Sequence, residues 1–333
     1  MTVAAAVVQG ILLTFALVVI LMPPFVLVLR RLGFGKRIRI EGPGSHLVKE
    51  GTPTMGGLLI IIVVAASALL FHFVSGGRFF DPSTIAPILT LVLVGGLGVA
   101  DDYLNARTGD GIRIRQKLLW QVVVAGVIAY QIQQTYAISS LRVPFIGEVP
   151  IEPIVYVLFG AFAIVATTNG VNFTDGLDGL AGGTLIFAFV AYMVIALLNV
   201  PAQPNLAVLC ALLIGGLLGF LWFNVHPAQV FMGDAGSLGL GATLAVMALI
   251  TGEVLLLPLI GIIFVVEVGS SLLQILAYRV TGGRRIFRMA PLHHHFELTG
   301  WDEEKITLRF WIIGVLAAML GVVFFLSTIG PQA

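Results

Sequence analysis

The stretch Ile85–Asn105 reads IAPILTLVLVGGLGVADDYLN, an uncharged apolar run that ends in two adjacent aspartates, Asp101 and Asp102. An α-helix rises about 1.5 Å per residue, and about 20 mostly apolar residues cross the hydrocarbon core of a bilayer. The run is of that order, so it reads as a membrane span. Its end is a poor place for two carboxylates, which repel each other and face the negative end of a helix dipole. A solvated helix end would explain one such pair. A functional pair, whose charge something nearby must offset, explains it better.

The whole chain shares this character. Of its 333 residues, 58% are hydrophobic and 11% are charged, against about 45–50% and about 25% in a soluble domain. The composition is that of an all-α polytopic integral membrane protein, partnered by the lipid bilayer. A net charge of +1 gives no reason to expect nucleic acid. The single cysteine, Cys210, lies in an apolar run and reads as a small core residue. The run Val3–Leu29 has no basic residue before it and exceeds a signal-peptide core, so it reads as a retained first span.

Ten spans are expected: Val3–Leu29, Gly56–Val74, Ile85–Ala100, Leu118–Ile138, Ile151–Thr167, Leu180–Leu198, Leu206–Phe223, Leu238–Ile250, Val254–Leu276 and Ile306–Leu326. Pro23-Pro24 should kink or end the first early. The eighth and ninth are separated only by Thr251-Gly252-Glu253, but one helix over Leu238–Leu276 would far exceed the bilayer. Basic residues test the count. Arg30, Arg31, Lys36, Arg37, Arg39 and Lys49 fall in the first loop, and Arg107, Arg113, Arg115 and Lys117 in the third. Arg279, Arg284, Arg285, Arg288 and Lys305 fall in the ninth, whereas the even loops hold only Arg78 and Arg142. By the positive-inside rule the odd loops are cytoplasmic and both termini lie outside. No repeat or linker divides residues 1–333, which read as a single integral-membrane domain.

The polar clusters all fall in odd loops. Asp101-Asp102 lie in the third, TTNGVNFTDGLDGLAGG (167–183) in the fifth, WFNVHPAQVFMGDAGS (222–237) in the seventh and RRIFRMAPLHHHFELTGW (284–301) in the ninth. Convergence at one membrane face points to a composite site with catalytic loops on the cytoplasmic side. Each cluster also has a structural reading. The glycine-rich fifth loop could be a turn with Asx caps, although Asn172, Asp175 and Asp178 exceed what a turn needs. Asp234 could be the N-cap of the eighth helix, with the functional reading no better than even. His293-His294-His295 could be a fortuitous run, but three histidines near a membrane surface favour ligands or phosphate contacts. Glu267 lies within the ninth span, with Ser270, Ser271 and Gln274 on the same face. An internal hydrogen-bonded seam is favoured there over catalysis.

Carboxylates converging with basic residues and histidines suggest a divalent cation and a phosphorylated substrate, because Mg²⁺ prefers hard oxygen ligands and substrate phosphates. No Walker A pattern and no H-E-x-x-H occur, and a single cysteine excludes C-x-x-C. A secondary transporter would put its site at the midplane, often within repeats, and fits less well.

Asp101-Asp102, NFTDGLDGLAGG (172–183), FMGDAGSL (231–238), GTPTMGG (51–57) and APLHHHFELTGW (290–301) carry a resemblance along nearly the whole chain. The sequence resembles the polyprenyl-phosphate N-acetylhexosamine-1-phosphate transferases, and the unbroken histidine triplet resembles their muramoyl branch. The resemblance implies a UDP-N-acetylmuramoyl-pentapeptide donor, an undecaprenyl phosphate acceptor, Mg²⁺, a bacterial inner-membrane location and a homodimer. A sibling that transfers N-acetylglucosamine-1-phosphate is the nearest alternative. It further implies that Asp234 ligates the metal, that Asp101 and Asp102 face the acceptor phosphate, and that His293 belongs with them in catalysis. Lys49, Thr54, Asn172, Asp175, Asp178, Asn224 and Ser237 would line the nucleotide-sugar site. Phe231 would stack on uracil, His294 and His295 would join His293 at diphosphate or sugar, and Lys117 would meet phosphate. Two unit charges 4 Å apart repel by about 4 kcal/mol at an effective dielectric of about 20. Joining a phosphate to a diphosphate therefore requires the cations that the aspartates would hold.

Overall fold

A computed structural model describes residues 2–35 and 49–329. Lys36, Arg37 and Arg39, used above to orient the first loop, lie outside the described residues. The elements in chain order are α1 (Val3–Arg31), α2 (Gly56–Val74), α3 (Pro82–Thr108), α4 (Ile114–Tyr136), the strands β1 (Ser140–Val143) and β2 (Gly147–Pro150), α5 (Pro153–Thr174) and α6 (Leu180–Leu198). They continue with α7 (Pro204–Asn224), α8 (Gly233–Ile250), a 3-10 turn at Val254–Leu256, α9 (Leu257–Ile260), α10 (Ile262–Val280), α11 (Leu292–Glu297) and α12 (Glu303–Ile329). Among the described residues, nine helices are long and apolar enough to cross a membrane. The tenth expected span is α4, a 23-residue helix whose five glutamines keep its hydropathy below the others. The fold is all-α apart from the antiparallel β1–β2 hairpin, which the sequence reading did not anticipate.

Several helix ends differ from expectation, and the differences matter for the site. α3 does not stop before Asp101-Asp102 but runs on to Thr108, ending where Gly109 takes a φ of +83°. A charge ends an apolar run without ending a helix; Leu104, Ala106 and Arg107 are good helix formers. Likewise α5 absorbs most of the supposed fifth loop, so Asn172 is helical and only the turn from Asp175 to Gly179 is not. α1 continues unbroken through Pro23-Pro24 to Arg31. In hydrocarbon, leaving the helix would strand more backbone groups than the two missing donors do. The expected ninth span, Val254–Leu276, is broken by the 3-10 turn, α9 and Gly261, and the long helix begins only at Ile262.

α8 is the centre of the bundle: 89% of its span is buried, against 22% for α1. Its sequence GDAGSLGLGATLAVMALI is rich in small residues, which let neighbouring backbones approach closely where lipid offers no hydrophobic drive. A Cβ on Gly98 of α3 would run into the Asp234 carbonyl, and one on Gly57 of α2 into the backbone of Gly236. These contacts lay α2 and α3 directly on the first turn of α8. The opposite end of the bundle is tied by Arg142 Nη1 to Glu253 Oε1 at 2.7 Å and by Asn199 Nδ2 donating to the Thr251 carbonyl at 2.8 Å.

Candidate functional site

The polar clusters meet at the end of the bundle where α5 and α7 finish and α4 and α8 begin, and they sort into three groups. In the first, Lys117 on α4 is ion-paired to Asp234 on α8 and, at 3.2 Å, to Asp101 Oδ2 on α3. Asp234 Oδ1 accepts Asn172 Nδ2 at 2.8 Å, and the same amide donates to Ser237 Oγ at 2.9 Å. Asp101 Oδ1 accepts the Ile112 N–H at 2.6 Å. Asp102 turns the other way: its two oxygens accept the N–H groups of Asp234 and Ala235 at 3.2 and 3.1 Å. Asp234 is thus not the N-cap of α8; Met232 holds that position, and Asp102 supplies acceptor oxygens to the free N–H groups of the helix N-terminus. The Thr54 hydroxyl lies beside Gly233, where an added Cβ would meet it and Asp102.

Lys117 brings a side-chain cation to Asp101 and Asp234, where the sequence reading looked to a bound metal ion to offset the charge. Burial works against its charge, but Asp234 and Asp101 outweigh that, and the ammonium is held above the ordinary lysine value.

The second group surrounds Asp178. Lys49 Nζ lies 2.7 Å from Asp178 Oδ1 and 2.5 Å from Glu303 Oε1. Asp178 Oδ2 accepts the Ala228 N–H at 3.1 Å and faces His226 Nδ1 at 2.9 Å. Asn224 accepts the Gly179 N–H at 3.0 Å and donates to the Val230 carbonyl at 2.9 Å, tying the turn before α6 to the seventh loop. The Phe231 ring centroid is 6.0 Å from Lys49 Nζ. Backbone pairing of Phe231 N–H to Pro53 O and Gly56 N–H to Phe231 O, each 2.8 Å, binds GTPTMGG to FMGD.

The third group divides the histidine triplet. His293 is fully buried, with Nδ1 on Glu267 Oε2 at 2.9 Å. Its Nε2 has no hydrogen-bond partner among the described residues and packs against Gly176. The ring of His293 packs against Gly176 in the Asp175–Gly179 turn while its Nδ1 faces the intramembrane Glu267. His294 faces Glu297 at 2.7 Å, and His295 Nδ1 accepts the Arg288 N–H at 3.1 Å. Asp175 is the C-cap of α5, its N–H donating to the Val171 and Asn172 carbonyls.

The sequence reading missed Glu303 and gave His226 no role. An acid in the first turn of a helix is commonplace, and nothing local ties Glu303 to Asp178. Among the described residues, Asp178, His226 and Glu303 offer metal-ligand atoms within 4.8 Å of one another, although Lys49 already neutralises two of them. The first group also suits a hard divalent cation. It sets three carboxylates against one ammonium, and the Asp101 and Asp234 oxygens turned toward Lys117 are the hard ligands such an ion takes.

Comparison with known proteins shows the family. The sequence profile of glycosyl transferase family 4 matches residues 84–252, and a phospho-N-acetylmuramoyl-pentapeptide-transferase signature matches residues 49–61, which include Lys49 and Thr54. The phospho-N-acetylmuramoyl-pentapeptide-transferase of Desulfosudis oleivorans is 44% identical over 331 residues, covering 93% of this chain and 90% of its own. Those of Chloroflexus aurantiacus and Listeria innocua are 45% and 41% identical, covering 91% and 92% of this chain and 85% and 94% of theirs. With such identity carried along nearly its full length, this multi-pass membrane chain belongs to glycosyl transferase family 4 and, within it, to the phospho-N-acetylmuramoyl-pentapeptide-transferases.

Proposed function

We propose that the protein transfers phospho-N-acetylmuramoyl-pentapeptide from its UDP-linked donor to undecaprenyl phosphate, giving lipid I and UMP. This would be the first membrane step of peptidoglycan synthesis, at the cytoplasmic face of the bacterial inner membrane. The observation that carries the reading is Lys117 held between Asp101 and Asp234, with Asn172 fixing the second oxygen of Asp234. Preorganised charge of this kind serves a reaction in which phosphoryl charge must be gathered and relocated.

An acceptor phosphate oxygen attacks the sugar-linked phosphorus of the donor. The bond from that phosphorus to the UMP oxygen breaks, and UMP leaves with the electron pair. Phosphomonoesters have a second pKa near about 6, so the acceptor arrives ionised and gains little from a general base. Lys117 meets the incoming phosphate, while Asp101 and Asp234 would hold Mg²⁺. When bound, Mg²⁺ would supply the charge neutralisation that lets the two phosphate groups approach. Asp102 keeps the first turn of α8 in place beneath them. Lys49, Asp178, Asn224 and Glu303 shape the nucleotide end of the cleft, with Phe231 as a face for uracil, since stacking serves any base.

The test is UMP release by purified protein in detergent with undecaprenyl phosphate and Mg²⁺. The donors are UDP-N-acetylmuramoyl-pentapeptide and, separately, UDP-N-acetylglucosamine. Release from the first donor only, abolished by chelation and in Asp234→Asn, is expected. Release from the second alone would reassign the donor, and release from neither by folded protein would overturn the reading. Radiolabel retained on the protein after incubation with donor alone would replace direct attack with a covalent two-step route.

A further inference from the structure

One helical turn below the Lys117–Asp234–Asn172 contacts, α4 and α5 are joined by a second polar contact. Gln121 is four residues beyond Lys117, and Asn169 is three before Asn172, so each lies on the same helix face as its partner in the first group. Asn169 Nδ2 donates to Gln121 Oε1 at 2.7 Å and to the Val165 carbonyl of its own helix at 2.8 Å. Gln121 is 2% exposed, and its Nε2 has no partner among the described residues. A buried amide with an unmet donor costs stability that an apolar side chain would not. Its use must lie elsewhere.

The geometry points to Gln121 and Asn169 as positioning residues, whose contact sets the spacing of α4 and α5 at which Lys117 and Asn172 both reach Asp234. Asp234 is fixed independently, since α8 is packed backbone to backbone on α3. Lys117 and Asn172 must therefore be brought to it from two separate helices. Asn172 has a short side chain and cannot follow a displaced helix. Lys117 could reach further, but only by giving up its shared contact with Asp101. A direct side-chain bridge one turn away holds both distances at once. Its catalytic consequence rests on the transferase reading; its geometric consequence does not.

The experiment compares wild type, Gln121→Leu and the reciprocal exchange Gln121→Asn with Asn169→Gln, all full-length in detergent. Two readouts are taken: kcat and KM for UMP release, and the rate at which an amine-reactive reagent modifies Lys117 without substrate. Exposed Lys305 serves as internal reference, with mass spectrometry as the detector. Displacements of about 1 Å cost up to about 100-fold in rate. Gln121→Leu should therefore lose about tenfold to about 100-fold in kcat with donor KM nearly unchanged. Its Lys117 should be modified several-fold faster relative to Lys305. The exchange should return both values toward wild type. Unchanged Lys117 modification in Gln121→Leu, or an exchange that restores neither readout, would overturn the proposal. Should Gln121→Leu fail to fold, Gln121→Asn alone, too short to reach Asn169, is judged by the same two readouts. Wild-type protein releasing no UMP would sink the transferase reading, while Lys117 modification still decides the positioning.

Discussion

Asp102 reaches from α3 to the first turn of α8 and accepts the N–H groups of Asp234 and Ala235, at 3.2 and 3.1 Å. It thereby caps a helix that begins more than a hundred residues later. Asp101, its immediate neighbour, instead faces Lys117. The adjacent aspartates divide their work: one anchors the first turn of α8, and the other faces Lys117. Asp102→Ala should therefore lower thermal stability by about 1–2 kcal/mol, the worth of a helix cap, together with activity. Asp101→Ala should lower activity with a smaller stability loss. Thermal unfolding in detergent beside UMP release separates the two, and equal destabilisation would contradict the division.

Lys117→Gln removes the cation between Asp101 and Asp234 while keeping a side chain of similar length. UMP release should fall by at least about 100-fold, in the range of a lost charge-stabilising contact. The folded pKa of Lys117 is raised by Asp234 and Asp101 against the opposing effect of burial. The pairing is thus fully present below the unfolded value and is lost only as pH rises through the higher folded value. The wild-type rate should show no downturn from this group between about pH 7 and about pH 9, well below the ordinary lysine value. A pH–rate profile with a downturn there that disappears in Lys117→Gln would refute the assignment.

Gly176 leaves no room for a side chain, because a Cβ would collide with His293 Nε2. Gly176→Ala must push the ring off Glu267 or shift the turn that carries Asp175 and Asp178. Overpacking of this kind costs about 1–3 kcal/mol. A fall in midpoint temperature is expected, partly recovered when His293 is shortened to Asn in the double variant. No recovery would mean that the ring and the turn are not in opposition.

Around Asp178, Lys49 neutralises two carboxylates at once, Asp178 and Glu303. Removing one partner of a buried pair leaves the other charge uncompensated, typically at about 3–5 kcal/mol. The Asp178 N–H also donates to Glu303 Oε1 at 2.6 Å, and Glu303→Gln, which keeps the volume, should disturb that bond and the Lys49 contact less. The expected result is a several-fold rise in KM for the UDP donor, with KM for the lipid phosphate unchanged. Equal changes in both would place Glu303 outside the nucleotide pocket.

Hydropathy made the spans legible, because transfer from water to lipid is a property of each segment alone. Helix ends were not, and two misplacements share one cause. Polar residues at Asp101-Asp102 and at Thr168-Asn169 ended apolar runs, yet the backbone stayed helical to Thr108 and Thr174. Asp101, Lys117, Asn172 and Asp234 were each visible as candidates, but their joining depends on helix packing. Asp178 with Glu303, and Glu267 with His293, are pairings across long separations that no local spacing announces. Gln121 and Asn169 were silent for a different reason. Gln121 is a neutral amide inside an apolar run, and Asn169, though within residues 167–183, carries no charge to mark it.

The absence of side chains at Gly98 and Gly57 reaches beyond close packing. With α2 and α3 clamped to the first turn of α8, the carboxylates of Asp101, Asp102 and Asp234 cannot be drawn apart without unseating helix from helix. Substrate must come to a fixed acidic anvil, and whatever yields on arrival must yield around it. The configurational entropy of gathering like charges is spent once, when the chain folds, and each turnover starts from charges already in place.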